Sequence, residues 1–290
     1  MRKPLIVKHL GRAGNRLFQY FFCAELARRT GAHSVRNVHI PDLGIDIAQE
    51  QDGDDRFLHI EGRHVFDVPA LVSALRDGSH PGATFQGYAM RLEYYDRQFC
   101  RRLFPLSPAV GQGFGPEFLT INVRAGDIFH GTNPALVASG YAGPYGPDSL
   151  YPGVHPDYRP LPLSYYEMLI RETGLKPAFV GEIASEPAYE EALRRRFPHA
   201  VFARTRGTKE DFLTLMGSTN IALAISSFSW MAAWLSEART IHIPVAGMFD
   251  PQQRPDINLL PPESDPRYIR HPLPRIQWHA TKEQIAELFA

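Results

Sequence analysis

Short apolar segments alternate with longer segments of helical period between residues 118 and 243. The apolar segments have the length and the β-branched content of buried strands, and the longer segments carry apolar side chains three and four positions apart. Strands that alternate with helices form a parallel sheet, because each helix returns the chain to the starting edge of the sheet. The sequence predicts strands over 118–123, 178–181, 200–203, 221–226 and 240–243 and helices over 164–174, 187–197, 208–219 and 228–236.

The N-terminal residues also predict a strand followed by a helix. Leu5-Ile6-Val7 predicts a buried strand, a glycine-containing loop follows, and residues 15–29 place apolar side chains at helical spacing. Gly31 is suited to end that helix, whereas residues 32–62 show only a weak pattern. Further along, the pattern predicts helices over 69–75 and 94–103 and a strand over 84–88.

A glycine-rich segment that follows Ser107-Pro108 indicates a linker between two halves. We therefore expect an α/β chain with a Rossmann-like N-terminal domain over residues 1–116 and a second Rossmann-like domain over 117–290. Capping-box patterns at Ser164–Glu167 and Thr281–Gln284 predict two helix starts, and the final helix could pack back on the first domain. Two such sheets are expected to face a cleft at the carboxyl ends of their strands.

Charge and hydropathy exclude several classes of protein. Lys+Arg and Asp+Glu both number 31, so the chain has no overall basic charge for binding nucleic acid. The most apolar stretch, 221–235, is too short and too rich in serine to span a bilayer. With two cysteines, Cys23 and Cys100, and no signal-peptide pattern, the sequence predicts a cytoplasmic soluble protein that could still meet a membrane surface peripherally.

The loop Gly11-Arg12-Ala13-Gly14-Asn15 lies between the first strand and the first helix. Glycines let the backbone approach a ligand closely, and N–H groups at a helix start attract phosphate. Neither the dinucleotide fingerprint nor a P-loop lysine is present, which disfavours a nicotinamide dehydrogenase and a P-loop ATPase. The spacing leaves open an ordinary tight turn with Asn15 as the helix cap.

Arg124 follows the strand over 118–123 and is expected to point into a cleft. A guanidinium there could neutralise a diphosphate leaving group. Asp127 could hold that arginine or act on an acceptor hydroxyl, with Glu182 as the second candidate for a general base. A structural Arg124–Asp127 ion pair is the alternative.

Two further groups of residues have the chemistry to bind parts of a nucleotide. Ser226, Ser227, Phe228 and Ser229 form a strand-to-helix junction, where hydroxyls and N–H groups can bind phosphate. Asp211 could accept both hydrogen-bond donors of guanine. The alternatives are that Ser227 simply caps its helix and that Asp211 stabilises a first helical turn after a Thr208 cap.

Metal ligands are not expected. Asp52-Gly53-Asp54 has the Asp-x-Asp form of some metal-dependent sugar transferases, but no strand leads into it, which favours a surface turn. The histidines and cysteines show no zinc spacing. Residues 128–162 are rich in glycine, proline and tyrosine, and a loop of this length suggests an acceptor-binding element.

Several of these motifs together resemble a family. Residues 11–20 resemble the opening motif of the α-1,2-fucosyltransferases, and their start is similar to that of the protein O-fucosyltransferases. The matches occur in the family's order and span residues 5–243. The other segments that carry the resemblance are Gln86-Gly87-Tyr88 with Tyr94-Tyr95, Asn122–Asp127, Asp211–Met216 and Ser226–Leu235.

The resemblance implies a GT-B fold, a GDP-fucose donor, no metal or other cofactor, and inversion at the anomeric carbon. A hydroxyl of a glycan or lipid-linked glycan would be the acceptor. By the same resemblance, Asn15 and the Gly11–Gly14 backbone would approach the donor phosphates, and Arg124 would hold the diphosphate. The junction serines would bind phosphate oxygens, and Asp211 would recognise guanine.

Three positions depart from the family pattern. Asn122 replaces a histidine, Ala125 replaces a second arginine, and Met231 replaces a second tryptophan. These departures leave open another donor sugar or a non-catalytic sugar-nucleotide-binding protein. A Rossmann-type oxidoreductase or epimerase is disfavoured by the missing fingerprint. The cations that could replace the second arginine are Arg12, Arg16 and Arg91.

Overall fold

Six stretches of the chain are described by the computed structural model, namely residues 2–47, 55–109, 111–126, 128, 158–203 and 207–290. These residues are divided between two compact units. The first comprises Met1–Ser107 and Pro255–Leu260, and the second comprises Pro108–Arg254 and Pro261–Ala290.

The segment just before residue 117 packs with the second unit. The backbone N–H of Phe114 donates to Oγ of Ser218 at 3.1 Å. Gly113 approaches the backbone of Gly217 so closely that a Cβ at this position would collide with it. The first unit therefore ends earlier than the expected boundary.

The first unit alternates strands and helices, as the opening of the sequence predicts. Its helix over 15–29 is observed with one or two more residues at each end, and Gly31 ends it with φ 68°. The elements in chain order are β1 (Lys3–Val7), α1 (Ala13–Thr30), β2 (His33–Arg36), β3 (Val38–Ile40), β4 (Ile45–Ile47), β5 (Leu58–Glu61), α2 (Val68–Arg76), β6 (Ala83–Gln86) and α3 (Arg97–Leu103).

Four of these strands form a parallel sheet in the order β2-β1-β6-β5, while β3 and β4 form an antiparallel pair. The apolar segment of β1 is fully buried, and α1 packs against the sheet and against α2. Because α1 is buried over most of its circumference, it forms the centre of this unit's core rather than a surface helix. The largest fully buried side chains of this core are Phe18, Phe21 and Phe22 of α1 and Phe85 of β6.

The second unit shows the alternation predicted for residues 118–243, and β7 has the predicted bounds. One further strand, β12, follows. Its elements are β7 (Phe118–Val123), α4 (Leu163–Thr173), β8 (Lys176–Gly181), α5 (Pro187–Arg196), β9 (Val201–Phe202), α6 (Thr208–Gly217), β10 (Asn220–Ala222), α7 (Ser227–Leu235), β11 (Thr240–Val245), β12 (Tyr268–Pro272) and α8 (Lys282–Phe289).

All six strands are parallel, in the order β12-β11-β10-β7-β8-β9. Counted from β9 this is the order 3-2-1-4-5-6 of a doubly wound Rossmann-like sheet. The chain leaves β7 towards β8 and leaves β10 towards β11, so the connections diverge between β7 and β10. In such sheets, ligands bind outside the carboxyl ends of the strands at this switch point.

One of the two predicted capping boxes is observed. Thr281 and Gln284 form the predicted capping box at the start of α8. The prediction at Ser164 is wrong, because α4 begins one residue earlier after Pro162, which has no side-chain cap. Phe289 of α8 contacts the Tyr189 ring, so the final helix packs within the second unit.

Two predictions from composition can be compared with the structure. Cys23 and Cys100 are buried free thiols, and burial raises the pKa of each. Among the helices of the described stretches, none combines the length and apolar character that a bilayer crossing needs.

A histidine pair, with His242 buried and His271 half-buried, links β11 and β12. Nδ1 of His242 lies 2.9 Å from Nε2 of His271, and their rings stack at 5.1 Å. Burial, with a smaller effect from His271, lowers the pKa of His242 from 6.5 to about 4. Between these values the unfolded chain binds more protons than the folded chain, so the stability of the fold decreases as the pH falls.

We predict a loss of up to about 3 kcal/mol of unfolding free energy between pH 6.5 and pH 4 from this histidine. His242→Asn removes the titration and flattens that part of the stability profile, measured by denaturant unfolding at a series of pH values. His199→Asn, at an exposed histidine of the same unit, is the matched control for the loss of an imidazole. An unaltered slope in the His242 variant would contradict the assignment.

Candidate functional site

The loop after β1 is held in one conformation by the residues around it. Gly11 has φ 70°, and a Cβ there would collide with the amide of Asn15. Both restrictions require glycine at this position. The loop ends where α1 begins at Ala13, with Arg12 at the N-cap, so the alternative that Asn15 caps the helix is wrong.

The buried side chain of Gln19 holds the loop in place. Its side chain is fully buried, accepts from the N–H of Leu10 at 3.0 Å and donates to the Leu10 carbonyl at 2.8 Å. The same oxygen lies 3.0 Å from Nδ1 of His9, whose Nε2 accepts from the N–H of His39 at 2.9 Å. Nδ1 of His9 therefore carries the proton, and burial lowers the pKa of this histidine.

Arg16 completes this support. Its Nε donates to the Gly11 carbonyl and its Nη1 to the His39 carbonyl, each at 2.9 Å. Among the three cations considered as replacements for a second arginine, Arg91 is likewise engaged, by Glu93 at 2.6 Å. Arg12 is exposed at the helix start.

Arg124 lies just beyond the carboxyl end of β7, as predicted. Its guanidinium forms an ion pair with Glu182, which follows β8, and donates to the Ala125 carbonyl at 3.0 Å. The Arg124 side chain is 18% exposed and that of Glu182 is 44% exposed. The arginine is thus oriented in advance while one side of the pair meets solvent.

The neighbours of Arg124 pack into the sheet. Asn122 is buried and donates to the Val180 carbonyl at 3.2 Å, which ties β7 to β8. Ala125 is fully buried. These two positions, where the resembled family has a histidine and a second arginine, therefore serve the packing of this unit. Asp127 lies outside the described residues.

The junction after β10 places a helix start beside the switch point. Ser226, not Ser227, is the N-cap of α7, and its Oγ accepts from the N–H of Phe228 at 3.2 Å. Ser229 is fully buried, and its hydroxyl donates to the carbonyls of Ala224 and Ser226 at 3.2 and 3.3 Å. Ser227 is half-buried at the first helical position, where a hydroxyl and the positive end of the helix dipole attract anionic groups.

Asp211 lies in the first turn of α6, which is capped by Gly207 rather than by Thr208. The rings of Phe212 and Phe228 are in edge-to-face contact at 5.3 Å. Because Asp211 and Ser227 directly precede these rings, the first turns of α6 and α7 lie side by side. Asp211 is half-buried there.

The structure thus brings Arg124, Asp211 and Ser226–Ser229 to one edge of the second sheet, whereas Gly11–Asn15 belongs to the first unit. Within the described stretches no three potential ligands are grouped to hold a metal ion. Asp52, Asp54 and most of the acceptor-loop candidate, residues 129–157, lie outside them. Gln19 and His9 were missed as supporting residues, although Gln19 is part of the motif at residues 11–20.

Comparison with protein-family models, with curated proteins and with solved structures finds no match for this chain. The chemistry of the site is therefore the basis for assigning a function. At the edge of the second sheet a preoriented guanidinium and a capped helix start favour an anionic group, and a carboxylate on the neighbouring helix favours a donor of two hydrogen bonds.

Gln19→Ala is predicted to destabilise the first unit by about 3 kcal/mol, since it leaves buried polar groups of His9 and Leu10 without their partner. Chemical unfolding of the variant measures this loss. Gln98→Ala, at an exposed helical glutamine, is the matched control and should change stability by less than about 0.5 kcal/mol. Equal effects of the two substitutions would show that Gln19 does not support the loop.

Proposed function

We propose that the protein is an inverting, metal-independent glycosyltransferase that uses a GDP-sugar, most readily GDP-fucose, and a hydroxyl of a glycan or lipid-linked glycan as acceptor. The observation that carries the proposal is the position of Arg124 and the α7 helix start on either side of the β7–β10 switch point. A diphosphate is the group that this pair of features suits best.

The nucleotide base is assigned from Asp211. Guanine offers a ring N–H and an exocyclic amine that one carboxylate accepts together, whereas uracil and cytosine lack this pair of donors. The contact between Phe212 and Phe228 keeps this carboxylate beside the helix start that would hold the phosphates.

In the proposed reaction the acceptor oxygen forms a bond to the anomeric carbon while the bond from that carbon to the phosphate oxygen breaks. GDP leaves with the bonding electron pair, and the acceptor proton passes to a base. Negative charge grows on the departing diphosphate, so a preoriented Arg124 stabilises the transition state more than the bound donor. The backbone of Gly11–Gly14 and Asn15 in the first unit, with exposed Arg12, would approach the same phosphates in a GT-B arrangement.

A non-catalytic sugar-nucleotide-binding protein is the second candidate. Buried Ala125 and the structural role of Asn122 favour it, because neither position supplies the cation or the histidine of the resembled family. The two candidates differ in turnover: both bind GDP-sugars, and only the transferase consumes them.

We predict that Arg124→Ala lowers the rate of GDP release from GDP-fucose by about 10²-fold or more, because the leaving group loses its cation. The rate is measured with purified protein and a panel of methyl hexosides as acceptors. Arg124→Lys retains the charge without the planar fork and should give an intermediate rate.

Arg195→Ala, at an exposed arginine of the same unit, is the matched control and keeps the wild-type rate. A wild-type rate in the Arg124→Ala variant, with the thermal transition intact in each protein, would exclude the proposed role. Tight GDP-fucose binding by the wild type without any turnover would favour the second candidate.

A further inference from the structure

Residues 273–278, here called the strap, follow the carboxyl end of β12, the edge strand of the second sheet. At the start of the strap, the N–H of Leu273 donates to the carbonyl of Val245, the last residue of β11, at 3.3 Å. At its other end, Trp278 bonds to Ile128, in the segment that follows β7. Because β11 and β10 lie between β12 and β7, the strap links the edge of the sheet to a segment that leaves its centre.

Side chains from three other parts of the second unit hold backbone carbonyls of the strap. These hydrogen bonds run from Arg159 to Pro274 at 2.9 Å, from Gln253 to Ile276 at 3.2 Å and from Gln284 to Gln277 at 2.7 Å. The three donors precede α4, follow β11 and belong to α8, respectively. The strap is therefore fixed along its length, and it presents Trp278 in a defined position.

Trp278 binds the segment after β7 through its indole ring nitrogen. Its Nε1–H donates to the Ile128 carbonyl at 2.7 Å, and each of the two residues is only 1% exposed. A buried carbonyl that loses its donor also lacks water as a substitute, so the backbone at residue 128 strongly favours the position that keeps this bond.

The short segment between β7 and Ile128 carries Arg124. Ala125 is fully buried, and its carbonyl accepts from Nη1 of Arg124 at 3.0 Å. Gly126 has φ 76°, a left-handed conformation that favours glycine. The strands of the sheet fix this segment at its start, and Trp278 holds it at Ile128.

We propose that Trp278 is a positioning residue for Arg124 in the transfer reaction. Its indole holds the backbone of the segment, while Glu182 orients the guanidinium at the end of the side chain. Trp278 is too buried to touch the donor, so its effect on the diphosphate passes through Arg124. This inference rests on the proposed function, in which that guanidinium stabilises the departing GDP.

The test combines Trp278→Phe, which keeps an aromatic ring and removes the N–H, with Arg124→Ala in a double-mutant cycle. We measure kcat for GDP release from GDP-fucose with methyl hexosides, and GDP affinity by calorimetry. In the wild-type background we expect Trp278→Phe to lower kcat by about tenfold and to weaken GDP binding, since a displaced guanidinium stabilises the diphosphate less well. In the Arg124→Ala background both quantities should change by less than about twofold, because no guanidinium remains to be positioned.

Tyr189→Phe is the matched control. Tyr189 is buried in the same unit, and its hydroxyl donates to the Leu161 carbonyl at 2.5 Å, so the variant also loses a buried bond to a backbone carbonyl. We expect it to keep the wild-type kcat and GDP affinity. 3-Benzothienylalanine at position 278 is a second variant, which keeps a bicyclic ring of similar size, lacks the N–H and should reproduce the effect of Trp278→Phe without a cavity.

Three results would overturn the role of Trp278: a wild-type kcat in both variants at position 278, the same loss with and without Arg124, or an equal loss in Tyr189→Phe. A wild type that binds GDP without turnover would refute the proposed transferase alone, because the cycle in GDP affinity still tests the coupling of Trp278 to Arg124. A wild type that does not bind GDP would contradict both proposals.

Discussion

The divergence of the chain between β7 and β10 is the constraint on which the second unit's candidate site depends. Because the connections leave these neighbouring strands in opposite directions, no crossover covers their carboxyl ends. Arg124 follows β7 directly and the N-cap of α7 comes four residues after the end of β10, so the topology brings both to this edge. The side chains then add chemical selectivity to a position that the sheet has already defined.

Charge at this edge is organised before any ligand arrives. Glu182 and the Ala125 carbonyl hold the Arg124 guanidinium, which reduces the conformational freedom lost on binding. The same principle applies in the first unit, where Gln19, His9 and Arg16 hold the loop backbone at the start of α1. In both units, residues that would not touch the proposed ligand hold in position the residues that would face it.

The sequence predicts those elements whose pattern is long and local. The strand at 118–123, the helix ended by Gly31 and the cap at Thr281 are observed as expected. Strands of three or four residues such as β2 to β5 have no measurable period, because their pairing partners and not their own sequence define them. Ser226 replaces Ser227 as the cap since helix ends shift easily by one residue. His242 and His271 could not be paired from sequence, because only the pairing of β11 with β12 brings them into contact.

We propose that the edge formed by Arg124, Asp211 and the α7 helix start binds the diphosphate and base of a guanine nucleotide. Calorimetric titration of the protein with GDP, UDP and CMP tests it most directly, with Asp211→Asn titrated in parallel. We expect GDP to bind at least about tenfold more tightly than the pyrimidine nucleotides, a difference of about 1.4 kcal/mol, and Asp211→Asn to remove most of this preference. Equal binding of the three nucleotides, or tighter binding of UDP, would contradict it.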